Sequence, residues 1–135
     1  SERTEESAPV RQVPEHVREA AGLLRGRTVA LIGGVPRVDA QIRLKRDLEL
    51  EELIWVETRA HQSTSPFEPV ISRPEVDIVL LAIRWASHSF SEIDTLCARL
   101  EKPLVRLPRG YNPSEVARQI FAQASAKLAV AKSSE

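Results

Sequence analysis

Two rhythms of apolar residues alternate along this chain. One is the short unbroken run that suits a strand buried on both faces, and the other recurs every three or four residues, as on one side of a helix. Thr28 to Ile32 is a run of the first kind, and it ends on Gly33-Gly34. Leu53 to Val56, Asp77 to Ile83 and Leu104 to Leu107 are three more. Between them lie stretches of helical period. Pro14 opens a helix over 15–24 with Val17, Ala20, Ala21 and Leu24 on one side, and Gly26 closes it. A second runs from Val38 to Glu49, with Asp39 as its N-cap and Ala40, Leu44 and Leu48 inward. Ser65-Pro66 starts a short one that ends near Ile71. Ser89 and Glu92 form a capping box ahead of Ile93, Leu96, Cys97 and Leu100. The last helix opens at Pro113-Ser114 and presents Val116, Ile120, Phe121 and Ala124.

Strands alternating with helices predict an α/β fold: a small doubly wound, Rossmann-like or flavodoxin-like parallel sheet of four strands, with helices on both faces. The simplest strand order is 2-1-3-4, which puts the switch point between strands one and three. Ligands of such folds sit outside the carboxyl ends of the strands at that point. The pattern divides the chain into a flexible N-terminal linker over 1–13, a single domain over 14–129 and a frayed tail over 130–135.

Composition narrows the class. A chain of 135 residues with 42% hydrophobic and 28% charged residues is an ordinary globular profile for one domain. The formal net charge is zero, so no overall field draws it to nucleic acid or to an anionic membrane. There is no apolar run long enough to span a bilayer and no signal-peptide pattern, so no membrane role is expected. A single cysteine, Cys97, allows no internal disulfide and leans towards a reducing, cytoplasmic setting. The absence of methionine points to a segment of a longer chain with a partner domain elsewhere.

Collected by topology, the strand exits form one rim. Strand one contributes Gly33, Gly34 and Arg37, and strand two contributes Glu57, Thr58, Arg59 and His61. Strand three contributes Arg84, Trp85, Ser87 and His88, and strand four Arg109, Gly110 and Tyr111. Arginines beside helix N-termini suit a small nucleotide-like or phosphate-like anion. The paired glycines allow a close approach or simply make a tight turn. No G-x-G-x-x-G is present, and Pro36 and Asp39 stand where further glycines would be. Glu57 falls where dinucleotide folds keep a ribose-binding acid. His88 either meets a ligand, a metal or a haem iron, or packs on Ile93 just ahead of its helix. Cys97 shares its helix's apolar stripe and reads as core. No catalytic triad or paired carboxylates stand out, and Arg84 occupies the place where a phosphate receiver would keep an acid.

These residues resemble a family of small bacterial Rossmann-like domains catalogued as domain of unknown function 2325. The likeness rests on Val29 to Gly34, Asp77 to Ile83, Ser87-His88 and Lys102-Pro-Leu-Val105, and covers about Arg27 to Ala124. It implies a Rossmann-like fold in a module of a larger protein and no established reaction. The family's histidine-acid-glycine turn after strand two is replaced here by Glu57-Thr-Arg-Ala-His61.

The leading expectation is therefore a non-catalytic ligand-binding or regulatory module. It holds a small anion through Arg37, Arg84, Arg109 and the amides of Gly33 and Gly34, with His88 reading the ligand. A histidine-ligated haem or metal sensor built on His88 is the alternative. A protein-interaction or homodimerisation domain, with Trp85 and Tyr111 as contacts and no ligand, is a third reading. The pattern names no cofactor.

Overall fold

A computed structural model describes residues 12–57, 67–82 and 88–133. The order is α1 (Glu15–Leu24), β1 (Thr28–Ile32), α2 (Val38–Asp47), β2 (Glu52–Val56), α3 (Glu68–Ile71), β3 (Val76–Leu81), α4 (His88–Arg99), β4 (Leu104–Arg106), α5 (Pro113–Gln123) and α6 (Ser125–Ser133). The four strands form one sheet in the order β2-β1-β3-β4, and every pairing is parallel. This is the architecture that the alternating pattern predicts.

Alternate side chains of the central strands feed two cores. Val29 and Leu31 of β1, Leu53 of β2, Ile78 and Leu80 of β3 and Val105 of β4 share one layer with α1, α2, α5 and α6. Ala30, Ile32, Val76, Val79 and Leu81 face the other layer, closed by Phe67 and Ile71 beside α3 and by Ile93 and Cys97 of α4. All five residues of β1 are buried, which explains its unbroken apolar run. The chain moves outward from β1 to β2 by way of α2, then returns across β1 to β3. The sheet thus changes direction between β1 and β3, and the carboxyl edge there is the default ligand position.

One irregularity keeps the two cores in phase. Thr28 pairs with Val76 and Val29 with Ile78, so Asp77 is an extra residue in β3. This bulge places Val76 and Ile78 in opposite layers, although two residues apart they would share a face in a regular strand. The Asp77 carboxylate accepts a hydrogen bond from the Thr28 amide at 3.3 Å.

Several local expectations are corrected. Asp39 is not the N-cap of α2: that place is held by Arg37 in extended backbone, without a side-chain cap, and Asp39 lies in the first turn. Helix α4 begins at His88, so Ser89 falls inside its first turn. Phe121 is 36% exposed and leaves the stripe of α5, where Ala117 takes the inward place. The last helical segment breaks at Ala124 and restarts as α6, which runs to Ser133, beyond the predicted end of the domain. Leu128 is its buried anchor. The predicted helix ends at Glu49 and Glu101 are both left-handed residues, with φ of 55° and 59°. In each case the following amide reaches back into the helix, Leu50 to the Lys45 carbonyl and Lys102 to that of Cys97. These are Schellman caps built on glutamate instead of glycine.

Candidate carboxyl-edge cleft

The turn after β1 fixes the geometry of the edge. Gly33 has φ of 130°, and a Cβ there would sit 2.6 Å from the Ala82 carbonyl oxygen. The glycine therefore lets the ends of β1 and β3 close on each other. Its amide donates to the Val56 carbonyl at 3.1 Å and its carbonyl accepts from Trp55 Nε1 at 2.8 Å. The expectation that the Gly33 amide faces a ligand is corrected on this ground: both backbone groups are taken up by β2. Gly34, exposed and with φ of 67°, continues the turn toward Tyr111.

From this turn a line of contacts leads outward. The Trp55 indole, half-buried on β2, meets the Tyr111 ring edge-on with centroids 4.8 Å apart and planes at 76°. The Arg37 guanidinium lies over the same tyrosine, 5.9 Å from its centroid. One aromatic thus packs on β2 on one side and holds a cation on the other. A cleft of about 280 Å³ opens beside it, between the start of α2 and the loop leading into α5. Arg37, Arg43, Gly110, Tyr111 and Asn112 line it, and Asp39 brings one carboxylate to the same wall.

Two helix N-termini meet at this cleft. Asn112 caps α5, its Oδ1 accepting from the Glu115 amide at 2.9 Å, and Pro113 follows as the first helical residue. The start of α2 has no side-chain cap, which leaves its first amides without that partner. Arg43 reaches Asp47 only at 3.9 Å, and among the described residues no carboxylate pairs with Arg37. A concave surface with two guanidiniums and two helix N-termini favours an anionic group.

Behind the cleft, Glu115 is almost fully buried. A hydrogen bond from Gln119, helped by Arg118 and more weakly by the charge of Arg109, holds its carboxyl below the usual range against the opposing effect of burial. On the other side of the sheet, burial pushes the Cys97 thiol up to about 11. A thiol raised in this way is held in its protonated form at neutral pH.

Comparison with protein-family models, with curated proteins and with solved structures finds no match to this chain.

Of the residues singled out in the sequence, Arg37, Gly110 and Tyr111 line the cleft, and Gly34 lies next to Tyr111 beside it. Glu57 and Arg109 are exposed and do not line it. His88 is the first residue of α4, beyond the end of β3. Arg84, Trp85 and Ser87, together with Thr58, Arg59 and His61, lie outside the described residues. Arg43 and Asn112 were not singled out. Arg43 carries a signal of its own, because it follows Asp39 by one helical turn and shares its face. Asn112 is legible as an N-cap ahead of Pro113.

Among the described residues no group of histidine, cysteine, aspartate and glutamate is arranged to hold a metal ion. None of the described helices is long and apolar enough to cross a membrane.

Proposed function

We propose that this domain is a non-catalytic ligand-binding or regulatory module that takes a small phosphate-bearing anion at the carboxyl edge of its sheet. The observation that carries this reading is Arg37, held over Tyr111 at the mouth of a cleft where two helix N-termini converge. Arg43 is the second cation, Gly34 leaves room at the turn, and the Gly33-Trp55-Tyr111 contacts fix the floor. The resemblance to the small bacterial Rossmann-like family belongs to the same proposal, as does a place within a larger protein. The experiment is a titration with adenosine monophosphate and with inorganic phosphate. It is followed by Trp55 fluorescence in a Trp85→Phe background and by thermal unfolding, since a ligand that binds only the native state raises stability. Arg37→Ala is expected to weaken binding roughly tenfold or more. No response to either anion at millimolar concentration, or an unchanged Arg37→Ala, would sink the reading.

A second reading, contact between copies or with a partner protein, draws on a different observation. Val38 and Ile42, one turn apart on α2, are 75% and 56% exposed, and Val35 beside them is 62% exposed. This shifts the expected contact from Tyr111, which is half-buried against Trp55, to α2. Light scattering of the wild type against Val38→Asp, Ile42→Asp decides it, since equal mass for both proteins excludes self-association through this face.

A further inference from the structure

A second cavity, wider than the cleft, lies at the amino edge of the sheet, opposite it. It measures about 890 Å³, within the range of small-molecule sites. It opens between α4, the starts of β3 and β4, and α6. Pro74, Val76, Pro103, Ala126 and Leu128 give it apolar walls, and Cys97 backs it.

Arg27 also lines this cavity, and it is the unusual residue there. It is only 8% exposed. Its Nε donates to the Leu23 carbonyl at 2.9 Å, at the C-terminal end of α1. A guanidinium carries five N–H donors. Among the described residues no partner meets the other four, and no carboxylate lies within ion-pair distance. A cation this far from water is costly unless something answers its charge. The other charged groups of the cavity have their own partners or face outward. Lys102 donates from Nζ to the carbonyls of Ile71 and Arg73. Asp77 accepts from the Thr28 amide. Glu101 and Lys127 are exposed.

We infer that this amino-edge cavity is a second binding site, for an organic monocarboxylate with an apolar body, whose carboxylate is received by the free N–H groups of Arg27. The charge balance selects a monoanion. Of the residues lining the cavity, Arg27, Lys102 and Lys127 are cationic and Asp77 and Glu101 anionic, which leaves one positive charge in excess. A phosphate dianion would meet both acids with too little compensation. The walls of proline, valine, alanine and leucine suit an alkyl or aryl body, which gains from leaving water. The planar fork of arginine matches the two oxygens of a carboxylate. This site is independent of the carboxyl-edge cleft, from which the buried strand β1 separates it.

The test is a titration of the isotopically labelled chain with octanoate and with 1-octanol, followed by amide chemical shifts. Octanoate is expected to bind saturably and to shift Cys97, Ala98 and Lys127 while leaving Gly34 and Tyr111 in place. 1-Octanol is expected to bind roughly tenfold more weakly or worse, because it cannot answer the guanidinium charge. Arg27→Gln is expected to lose the preference for the acid. The wild-type comparison of acid and alcohol stands even if that variant fails to fold. Equal affinity for the two ligands, shifts confined to the carboxyl edge, or no shift at millimolar octanoate overturns the proposal.

Discussion

The side-chain amide of Gln123 pairs with both backbone groups of Arg106. The Arg106 amide donates to Oε1 at 2.9 Å, and Nε2 donates to the Arg106 carbonyl at 2.9 Å. β4 is an outer strand, so a helix side chain here occupies the place that a fifth strand would take. An open strand edge invites pairing with another chain, and this contact blunts it. Gln123→Ala removes both bonds at a solvent-facing position. The expected cost is about 1–2 kcal/mol in urea denaturation. Self-association should also rise with concentration in light scattering, and an unchanged aggregation threshold would mean that the edge is protected by other means.

The two glycines after β1 are expected to respond very differently to alanine. At Gly33 the new Cβ meets the Ala82 carbonyl oxygen at 2.6 Å, and φ is unfavourable as well. Gly33→Ala should destabilise by on the order of 3 kcal/mol or prevent folding. At Gly34 the nearest atom is Tyr111 Cε2 at 3.8 Å, an ordinary contact. Only the left-handed backbone is penalised there, by about 1 kcal/mol. Thermal unfolding of the two variants measures the difference, and equal effects would contradict the close approach of β1 and β3.

Glu101 offers the opposite sign. It holds φ of 59° at the end of α4, where a side chain is strained and glycine is not. Glu101→Gly is expected to stabilise by about 0.5–1 kcal/mol. It is a cleaner choice than the matching Glu49, whose carboxylate pairs with Arg25 at 2.6 Å. Denaturant midpoints at neutral pH are the measurement, and a loss of stability would show that the carboxylate itself matters.

Glu115 makes the fold sensitive to acid. Its carboxyl titrates below the ordinary 4.5 in the native state, chiefly through the Gln119 hydrogen bond. A group whose folded value is depressed adds stability above its unfolded value, and that stability is lost as pH falls through the folded value. Stability should therefore drop below about pH 4.5. Glu115→Gln should flatten that part of the profile while the part due to Glu49, lowered by Arg25, remains. Denaturation series at several pH values for both proteins test this, and parallel profiles would remove Glu115 as a cause.

Much of the scaffold was legible because its signals are redundant. The bounds of α1 and β1 follow from Pro14, Gly26 and an apolar run that ends on two glycines. The strand order follows from alternation and connection lengths. The site was harder to read, for physical reasons. The cleft is made by Arg37 and Arg43 on one helix and Gly110 to Asn112 far along the chain, and no local period reports that they face each other. Nothing in the order of residues shows that the Val56 carbonyl takes the Gly33 amide, so the sequence leaves that amide open to a ligand. Glu49 and Glu101 look like ordinary helix residues, since a left-handed cap leaves a mark in sequence only when glycine supplies it. Phe121 follows the stripe of α5 but stands one turn before the break at Ala124, where the inward face is handed to Leu128.

The bulge at Asp77 has a bearing on how this chain tolerates changes of length. In the middle of a central strand a deletion ordinarily turns every later side chain to the wrong face. Here Val76 and Ile78 already point to opposite layers, and their partners Thr28 and Val29 are consecutive. Removing Asp77 would close the bulge and leave Ile78 to Leu81 aimed as they are, at the loss of the bond to the Thr28 amide. Removing Val79 would exchange the layers of Leu80 and Leu81 and break both cores. The most deeply placed strand pair of the sheet thus contains one position where the chain can shorten without losing its phase.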